Sequence, residues 1–400
     1  MSLPYYKQFG WDAEVVITDQ RYSDMPKDEL LLQSLPAGIK IHRVKALNKK
    51  WTSKAGLGSL ALRSLWFYRQ KVNRLLKATH YDLIFFSTTQ FPVCVLGAYW
   101  KKRFGVPYVI DMQDPWHSDY YQHKPRHQRP PKYWFSYRLN KYLEPVAMKA
   151  VSGLISVSAA YIDILKTRYP EIKAIPSAVI TFGYFAPDMA IAGAISSAFK
   201  NLLDPDRKNI VYVGRGGADM HQAIRPLFDA VKKGGAAFKS LKLYFIGTSY
   251  APNGKGHYTI LPLARQYGMA DQVVEVTNRI GYYQTLATLQ QADALFIPGS
   301  DDPAYTASKL YPYLLANKPL LGIFNPDSPA LAVLNQCGIK HAYSYSAGQH
   351  LAVQIHDFCI SLLNGQPLTL GYNKQALKEY SSENLTAKQC GLFNAAIQQQ

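Results

Sequence analysis

The residues best suited to chemistry fall in four short stretches. In the second half of the chain, Val213 runs directly into Gly214, Arg215, Gly216 and Gly217. Glycines placed after a strand let a phosphate come close to the backbone, and an arginine among them adds charge-assisted hydrogen bonds to a diphosphate. The run lacks the GxGxxG spacing of a dinucleotide site, and an ordinary glycine turn with an exposed arginine fits the same residues. Further on, Tyr305, Thr306, Ser308 and Lys309 precede an apolar run that ends at Lys318 and Pro319. Thr306 or Ser308 would cap a helix whose first N–H groups and positive dipole end attract an anion, with Lys309 in the first turn. A plain capped helix, tolerant of Pro312 near its start, is the competing reading. Between these stretches, Arg279 leads through Gly281 to Tyr282 and Tyr283. There the backbone would read a base edge beside a tyrosine ring, or the tyrosines simply bury themselves at a helix start. In the first half, Asp111, Asp114 and His117 follow a strand, where they would orient an acceptor hydroxyl or act as general base. Asp114 before Pro115 equally favours a turn.

Such residues need elements to position them. Strand-like runs at Glu14–Thr18, Tyr81–Ser87, Val106–Asp111 and Gly153–Ser158 alternate with helical spacing at Val93–Trp100 and Ala159–Arg168. After an irregular stretch, 177–206, the rhythm restarts. Strands are expected at Asn209–Gly214, Leu241–Gly247, Val273–Val276, Ala294–Pro298 and Pro319–Phe324, and helices at Gln222–Lys232, Ile260–Tyr267, Tyr282–Gln291 and Lys309–Ala316. This alternation predicts an α/β chain of two Rossmann-like, doubly wound domains facing across a cleft. The expected divisions are 1–185, 207–375 and a helical segment at 376–400. Tyr5 to Asp12 reads as the end of a helix entering the strand at Glu14, so the first strand of the first domain is expected to be missing.

Composition narrows the class of partner. Four hundred residues, 48% of them hydrophobic, suffice for two cores. No apolar run is long enough to span a bilayer, and the N-terminal residues lack a signal-peptide pattern, which implies a cytoplasmic protein. Cys94, Cys337, Cys359 and Cys390 lie far apart without metal-ligand spacing and read as buried thiols. The balance of 45 Lys+Arg against 27 Asp+Glu gives a net charge of +18, which favours anionic partners. Lys71, Arg74 and Lys77, and then Lys101, Lys102 and Arg103, read as solvated basic faces. Lys124, Arg126, Arg129, Lys132, Arg138 and Lys141 interleave with Tyr120, Tyr121, Tyr133, Trp134, Phe135, Tyr137 and Tyr142 in a basic aromatic segment, 120–142. That mixture, with no nucleic-acid recognition motif, suits an anionic membrane surface better than nucleic acid.

Taken together, Asp111–Trp116, Ser156–Ser158, Val211–Met220, Arg279–Tyr283 and Tyr305–Pro319 resemble the family 4 glycosyltransferases of GT-B fold, especially the bacterial cell-surface polysaccharide type. The resemblance implies transfer of a sugar from a nucleotide sugar, UDP or GDP type, to a hydroxyl of a glycan or lipid-linked acceptor. It implies retention at the anomeric carbon, no obligatory metal and no cofactor beyond that co-substrate. The protein would be cytoplasmic, or peripheral at the inner face of the plasma membrane. The donor would occupy the second domain, with Arg215 matching the family's diphosphate-binding arginine. The sequence departs from the pattern in two places. The family's following lysine falls near Met220 and His221, and its two glutamates separated by seven residues fall at Ala304 and Pro312, with Asp301 and Asp302 as nearby substitutes. The alternative reading is a non-catalytic glycosyltransferase-like partner in a surface-glycan assembly complex.

Overall fold

The computed structural model describes residues 1–23, 28–52, 58–119, 121–122, 124–126, 129–130, 132–251, 254–303, 309–368 and 371–399. They form two compact units: 1–27, 35–182 and 382–400 in the first, and 28–34 with 183–381 in the second. Among the described residues no helix is long and apolar enough to cross a membrane.

In the first unit, β1 (Glu14–Thr18) and β2 (Lys40–Val44) make a two-stranded parallel ladder. The single turn α1 (Lys49–Thr52) and the long α2 (Leu60–Ala78) follow. A four-stranded parallel sheet is then built from β3 (Ile84–Ser87), β4 (Tyr108–Met112), β5 (Gly153–Ser156) and β6 (Ser177–Val179), in that order. The connections carry α3 (Val95–Phe104), α4 (Tyr133–Met148) and α5 (Ala159–Arg168). The two-residue period of β4 sorts its side chains between two cores. Tyr108, Ile110 and Met112 join Val72, Trp100 and Met148 on one face, whereas Val109 joins Ile155 and Phe393 on the other. A Cβ at Gly97 would come within 2.5 Å of the Tyr108 ring, so the missing side chain is what lets α3 lie so close to β4.

The second unit starts with α6 (Pro187–Ala194) and contains the strands β7 (Lys208–Val213), β8 (Leu241–Ile246), β9 (Val273–Val276), β10 (Ala294–Pro298), β11 (Leu320–Phe324) and β12 (Ala342–Ser344). All pair in parallel in the order β12-β11-β10-β7-β8-β9. Read from β9, this is the 3-2-1-4-5-6 order of a doubly wound sheet, and the order reverses between β7 and β10. Its helices are α7 (His221–Gly234), α8 (Leu261–Gln266), α9 (Tyr282–Gln291), α10 (Leu310–Leu315), α11 (Pro329–Gln336), α12 (Gly348–Leu363) and α13 (Lys374–Lys378). α7 buries Ala223, Ile224, Leu227, Phe228, Ala230 and Val231, the spacing of one apolar helical face.

The last helix, α14 (Ser382–Gln398), returns to the first unit. The sequence reading made 376–400 a separate segment. In the structure the division falls within it, because Leu392, Phe393 and Ala396 pack with Tyr6 against Val109 and Ile155 on the second face of the first sheet. The passage between units falls at 182–183 rather than 185, and Asp28–Ser34 is counted with the second unit, lying beside α6 and α9. All four cysteines are buried free thiols.

Candidate functional site

The reversal between β7 and β10 gathers the best-placed residues. Parallel sheets bind ligands beyond the carboxyl ends of their strands at such a point. β7 ends at Val213, and the loop that follows is tied to the end of β8: the Gly214 N–H donates to the Ile246 carbonyl at 2.8 Å and the Gly216 N–H to the Thr248 carbonyl at 2.8 Å. From within the strand, the buried Tyr212 hydroxyl donates to the Arg215 carbonyl at 2.9 Å and accepts from Lys309 Nζ at 3.0 Å. Lys309 Nζ also sits 5.0 Å above the Tyr212 ring centre. A Cβ on Gly214 would lie 2.2 Å from that ammonium, so the glycine is what allows Lys309 to lie across the loop.

Three cations thereby share one neighbourhood. Burial, then the positive charges of Arg215 and Arg279, push the Lys309 ammonium down to about 8. Arg215 forks onto Asp219, with Nη1 to Oδ1 at 3.1 Å and Nη2 to Oδ2 at 2.6 Å. Ser300, just beyond β10, donates to the same carboxylate at 2.7 Å, and the Asp301 N–H donates to the Asp219 carbonyl at 2.8 Å. Burial works against ionisation of Asp219, but the Arg215 and Ser300 hydrogen bonds outweigh it and hold the carboxyl below its ordinary value. Arg279 is exposed and lies with its guanidinium 4.4 Å over the Tyr250 ring.

Behind the loop, Glu275 organises the wall. Its buried carboxylate accepts from Thr248 Oγ1 at 2.8 Å and from the N–H groups of Thr259, Ile260 and Leu261 at 3.0, 2.9 and 2.7 Å. A Cβ at Gly216 would meet Thr259 Oγ1 at 2.5 Å and Thr248 Cβ at 2.9 Å, so the loop rests directly on the residues that Glu275 holds. Neither Asp219 nor Glu275 was singled out in the sequence. An acid inside an apolar strand run, Val274-Glu275-Val276, was the available sign.

Of the residues expected to bind a donor, Gly214, Arg215, Gly216, Gly217, Arg279 and Lys309 lie in this region. Tyr305, Thr306 and Ser308 fall outside the described residues. Tyr282 is drawn elsewhere: its hydroxyl and that of Tyr283 each donate to Asp188 of α6 at 3.0 Å. A buried carboxylate needs donors, and those two phenols satisfy it. Met220 is buried and His221 Nε2 lies 2.9 Å from the Thr259 carbonyl, so neither stands in for the family's lysine. Asp301 and Asp302 are exposed beside Ser300. A polar hollow of about 370 Å³, lined by residues such as Asp204, Arg207, Lys208 and Asp293, lies where the strands begin. Ligands of such sheets favour the other end, and the Lys208–Asp293 ion pair at 3.0 Å occupies part of the hollow's lining.

In the first unit the expected trio is separated. Asp111 accepts from Gln113 at 3.0 Å and from Ser87 Oγ at 3.4 Å, and burial raises its carboxyl. Asp114 is exposed. The His117 N–H donates to Glu144 Oε2 at 2.9 Å, and the ring packs 4.9 Å from that of Tyr137. Burial, then Arg168, push its imidazole below the ordinary value. Among the described residues no hydrogen bond joins the three. Glu144, 1% exposed, pairs with Arg168 and accepts from Tyr169 at 2.8 Å, while Asn140 holds the Trp116 ring N–H at 3.1 Å. Thus α4 fixes the loop after β4. The pattern of residues 111–117 gave no hint of this, because its partners are a helical turn apart and distant in sequence.

Residues 12–182, nearly the whole of the first unit as far as its last strand, match the model of Glycosyltransferase Family 4. Residues 12–182, fewer than half of the chain, are thus similar to a family 4 glycosyltransferase domain. A glycosyltransferase of Rickettsia africae ESF-5 is similar in structure over the full chain and 94% of its own length, at 12% identity and a TM-score of 0.58. Sucrose-phosphate synthase of Thermosynechococcus elongatus is similar over 95% of this chain and 88% of its own, at 13% identity and a TM-score of 0.52. The trehalose-6-phosphate protein of E. coli, bound with UDP-2-fluoro glucose, is similar over 96% of this chain and 99% of its own, at 11% identity and a TM-score of 0.50. No curated protein sequence matches the chain. At these identities the structural likeness establishes the GT-B fold, and the family 4 match over residues 12–182 supports a glycosyltransferase.

Proposed function

We propose that this glycosyltransferase moves a sugar from a UDP- or GDP-type nucleotide sugar to a hydroxyl of a glycan or lipid-linked acceptor, with retention at the anomeric carbon and without a metal. The observation that carries this reading is the convergence of Arg215, Lys309 and Arg279 on the glycine loop at the reversal of the second sheet. As the bond from the anomeric carbon to the diphosphate oxygen breaks, negative charge grows on the leaving nucleotide. Fixed cations and loop N–H groups stabilise that charge, and part of the gain exists only in the transition state. Lys309 takes the place of the lysine that the sequence lacks at Met220, because Gly214 leaves room for its ammonium beside Tyr212. The neighbour bound with UDP-2-fluoro glucose supports a UDP-type donor.

On the acceptor side we assign Asp111, at the end of β4, to the acceptor hydroxyl, with Asp114 and His117 on the same loop. The new bond forms between the acceptor oxygen and the anomeric carbon, and the hydroxyl proton passes to a carboxylate or to the departing phosphate oxygen. We place the protein in the cytoplasm, with its first unit at the inner face of the plasma membrane, as a lipid-linked acceptor would require.

Calorimetric titration with UDP and GDP, beside Arg215→Ala and Lys309→Ala, tests the donor site. Micromolar binding of one nucleotide, weakened at least tenfold in either variant, is expected. Binding of neither nucleotide, or equal binding by both variants, would remove the donor assignment and turn the reading toward a non-catalytic partner.

A further inference from the structure

Helices α2, α3 and α4 lie on one side of the first sheet. Their buried residues, Val72, Trp100 and Met148 among them, share a core with Tyr108 and Ile110, while α14 takes the opposite face. α3 packs against both α2 and α4, so the three form one layer with a common outer side. That outer side has an unusual composition. α2 and α3 contain no aspartate or glutamate, and the single acid of α4, Glu144, is buried against Arg168.

On α2 the exposed positions Trp66, Arg69, Arg74 and Lys77 recur at helical spacing, and Trp66 is 57% exposed. On α4 the same spacing exposes Trp134, Arg138, Lys141 and Tyr142, with Trp134 at 65% and Tyr142 at 72%. The end of α3 adds Lys102 and Arg103, and Arg69 of α2 lies 4.4 Å over the Tyr99 ring of α3, joining the stripes. A merely solvated basic face would have no use for two tryptophans and a tyrosine in water. Aromatic rings interleaved with cations suit the boundary between lipid headgroups and acyl chains, where the rings sit in the interface and the cations meet anionic headgroups.

We propose that the outer side of the α2–α3–α4 layer docks on an anionic phospholipid bilayer, with Trp66 and Trp134 entering the interface. The inference deepens the reading of the first unit as the side that meets a lipid-linked acceptor, and it extends the contact from the C-terminal part of the basic aromatic segment, now placed on α4, to α2 and α3. Full-length protein is pelleted with vesicles of pure phosphatidylcholine and of phosphatidylcholine with about a third phosphatidylglycerol, at low and high salt. Each cation near such a surface contributes about fivefold in partitioning. Arg74→Gln, Lys77→Gln, Arg138→Gln and Lys141→Gln combined should therefore lower binding by roughly 600-fold. Trp66→Ala with Trp134→Ala should abolish the fluorescence blue shift on anionic vesicles. Wild-type strength in the quadruple variant, equal binding to neutral vesicles, or preference for duplex DNA over vesicles would overturn the proposal. UDP binding is read on the same samples. Vesicle binding by a wild-type protein that ignores UDP would retire the donor reading and leave the docking face standing.

Discussion

Lys309 should make the proposed donor site sensitive to pH. Its ammonium titrates near about 8, down from the ordinary 10.5, chiefly through burial and then through Arg215 and Arg279. A diphosphate placed among these three cations would restore the charge, so binding takes up a proton whenever free Lys309 is neutral. With a free value of about 8 and a bound value well above 9, raising the pH from 7 to 9 lowers the affinity about tenfold, or ~1.4 kcal/mol. A terminal phosphate with a last pKa of about 6 is ionised throughout that range. Calorimetry at pH 8 in two buffers of different ionisation enthalpy should find uptake of roughly half a proton per UDP bound. Lys309→Arg should bind UDP with no slope between pH 7 and 9, because guanidinium stays charged. A flat wild-type profile, or an unchanged slope in Lys309→Arg, would refute the reasoning. Stability moves oppositely. The folded value lies below the unfolded one, so the unfolded chain holds more protons between about 8 and 10.5, and this group's contribution to stability rises with pH across that window.

Other substitutions test the supporting structure. Gly214→Ala places a methyl 2.2 Å from Lys309 Nζ and 2.6 Å from the Tyr212 hydroxyl. The lysine end can swing away but the buried Tyr212 ring has little room to shift, so the melting temperature should fall along with UDP affinity, the latter at least about fivefold. Glu144→Gln leaves Arg168 beside a neutral partner and weakens the bonds from Tyr169 and the His117 N–H; chemical denaturation should show a loss of about 3 kcal/mol. Glu275→Ala frees the N–H groups of Thr259, Ile260 and Leu261 and should cost about 3 kcal/mol and weaken UDP, whereas Glu275→Gln should retain part of both.

The second sheet was the most legible part of the fold. Its apolar runs are short and bounded by glycine or polar residues, and the strands at Val273–Val276 and Ala294–Pro298 and the helix at Tyr282–Gln291 stand where periodicity put them. α4 was not legible because residues 120–142 read only as a basic, aromatic segment, and the fold alone shows that Ala147 and Met148 turn inward. The glycines, Arg215 and Lys309 could be singled out as candidate phosphate ligands from residue type and neighbouring strands alone. Asp219, Ser300 and Tyr212 could not, since their roles depend on β7 and β10 being neighbours although 80 residues of other strands intervene. Tyr282 shows the converse: its type suited a base, but the buried carboxylate of Asp188 claims its hydroxyl.

The return of α14 to the first sheet has a consequence for how the protein is made. When Phe182 leaves the ribosome, the strands of the first unit exist, yet Val109 and Ile155 still lack the helix that shields them. At roughly 5–20 residues per second, the helix follows some 10–40 seconds later. During that interval the second unit is being completed while one face of the first sheet has only the N-terminal residues around Tyr6 against it. Transiently exposed apolar surface of this kind favours aggregation. A recombinant fragment ending near residue 182 should be recovered mainly in inclusion bodies, and α14 supplied as a separate peptide should rescue part of it.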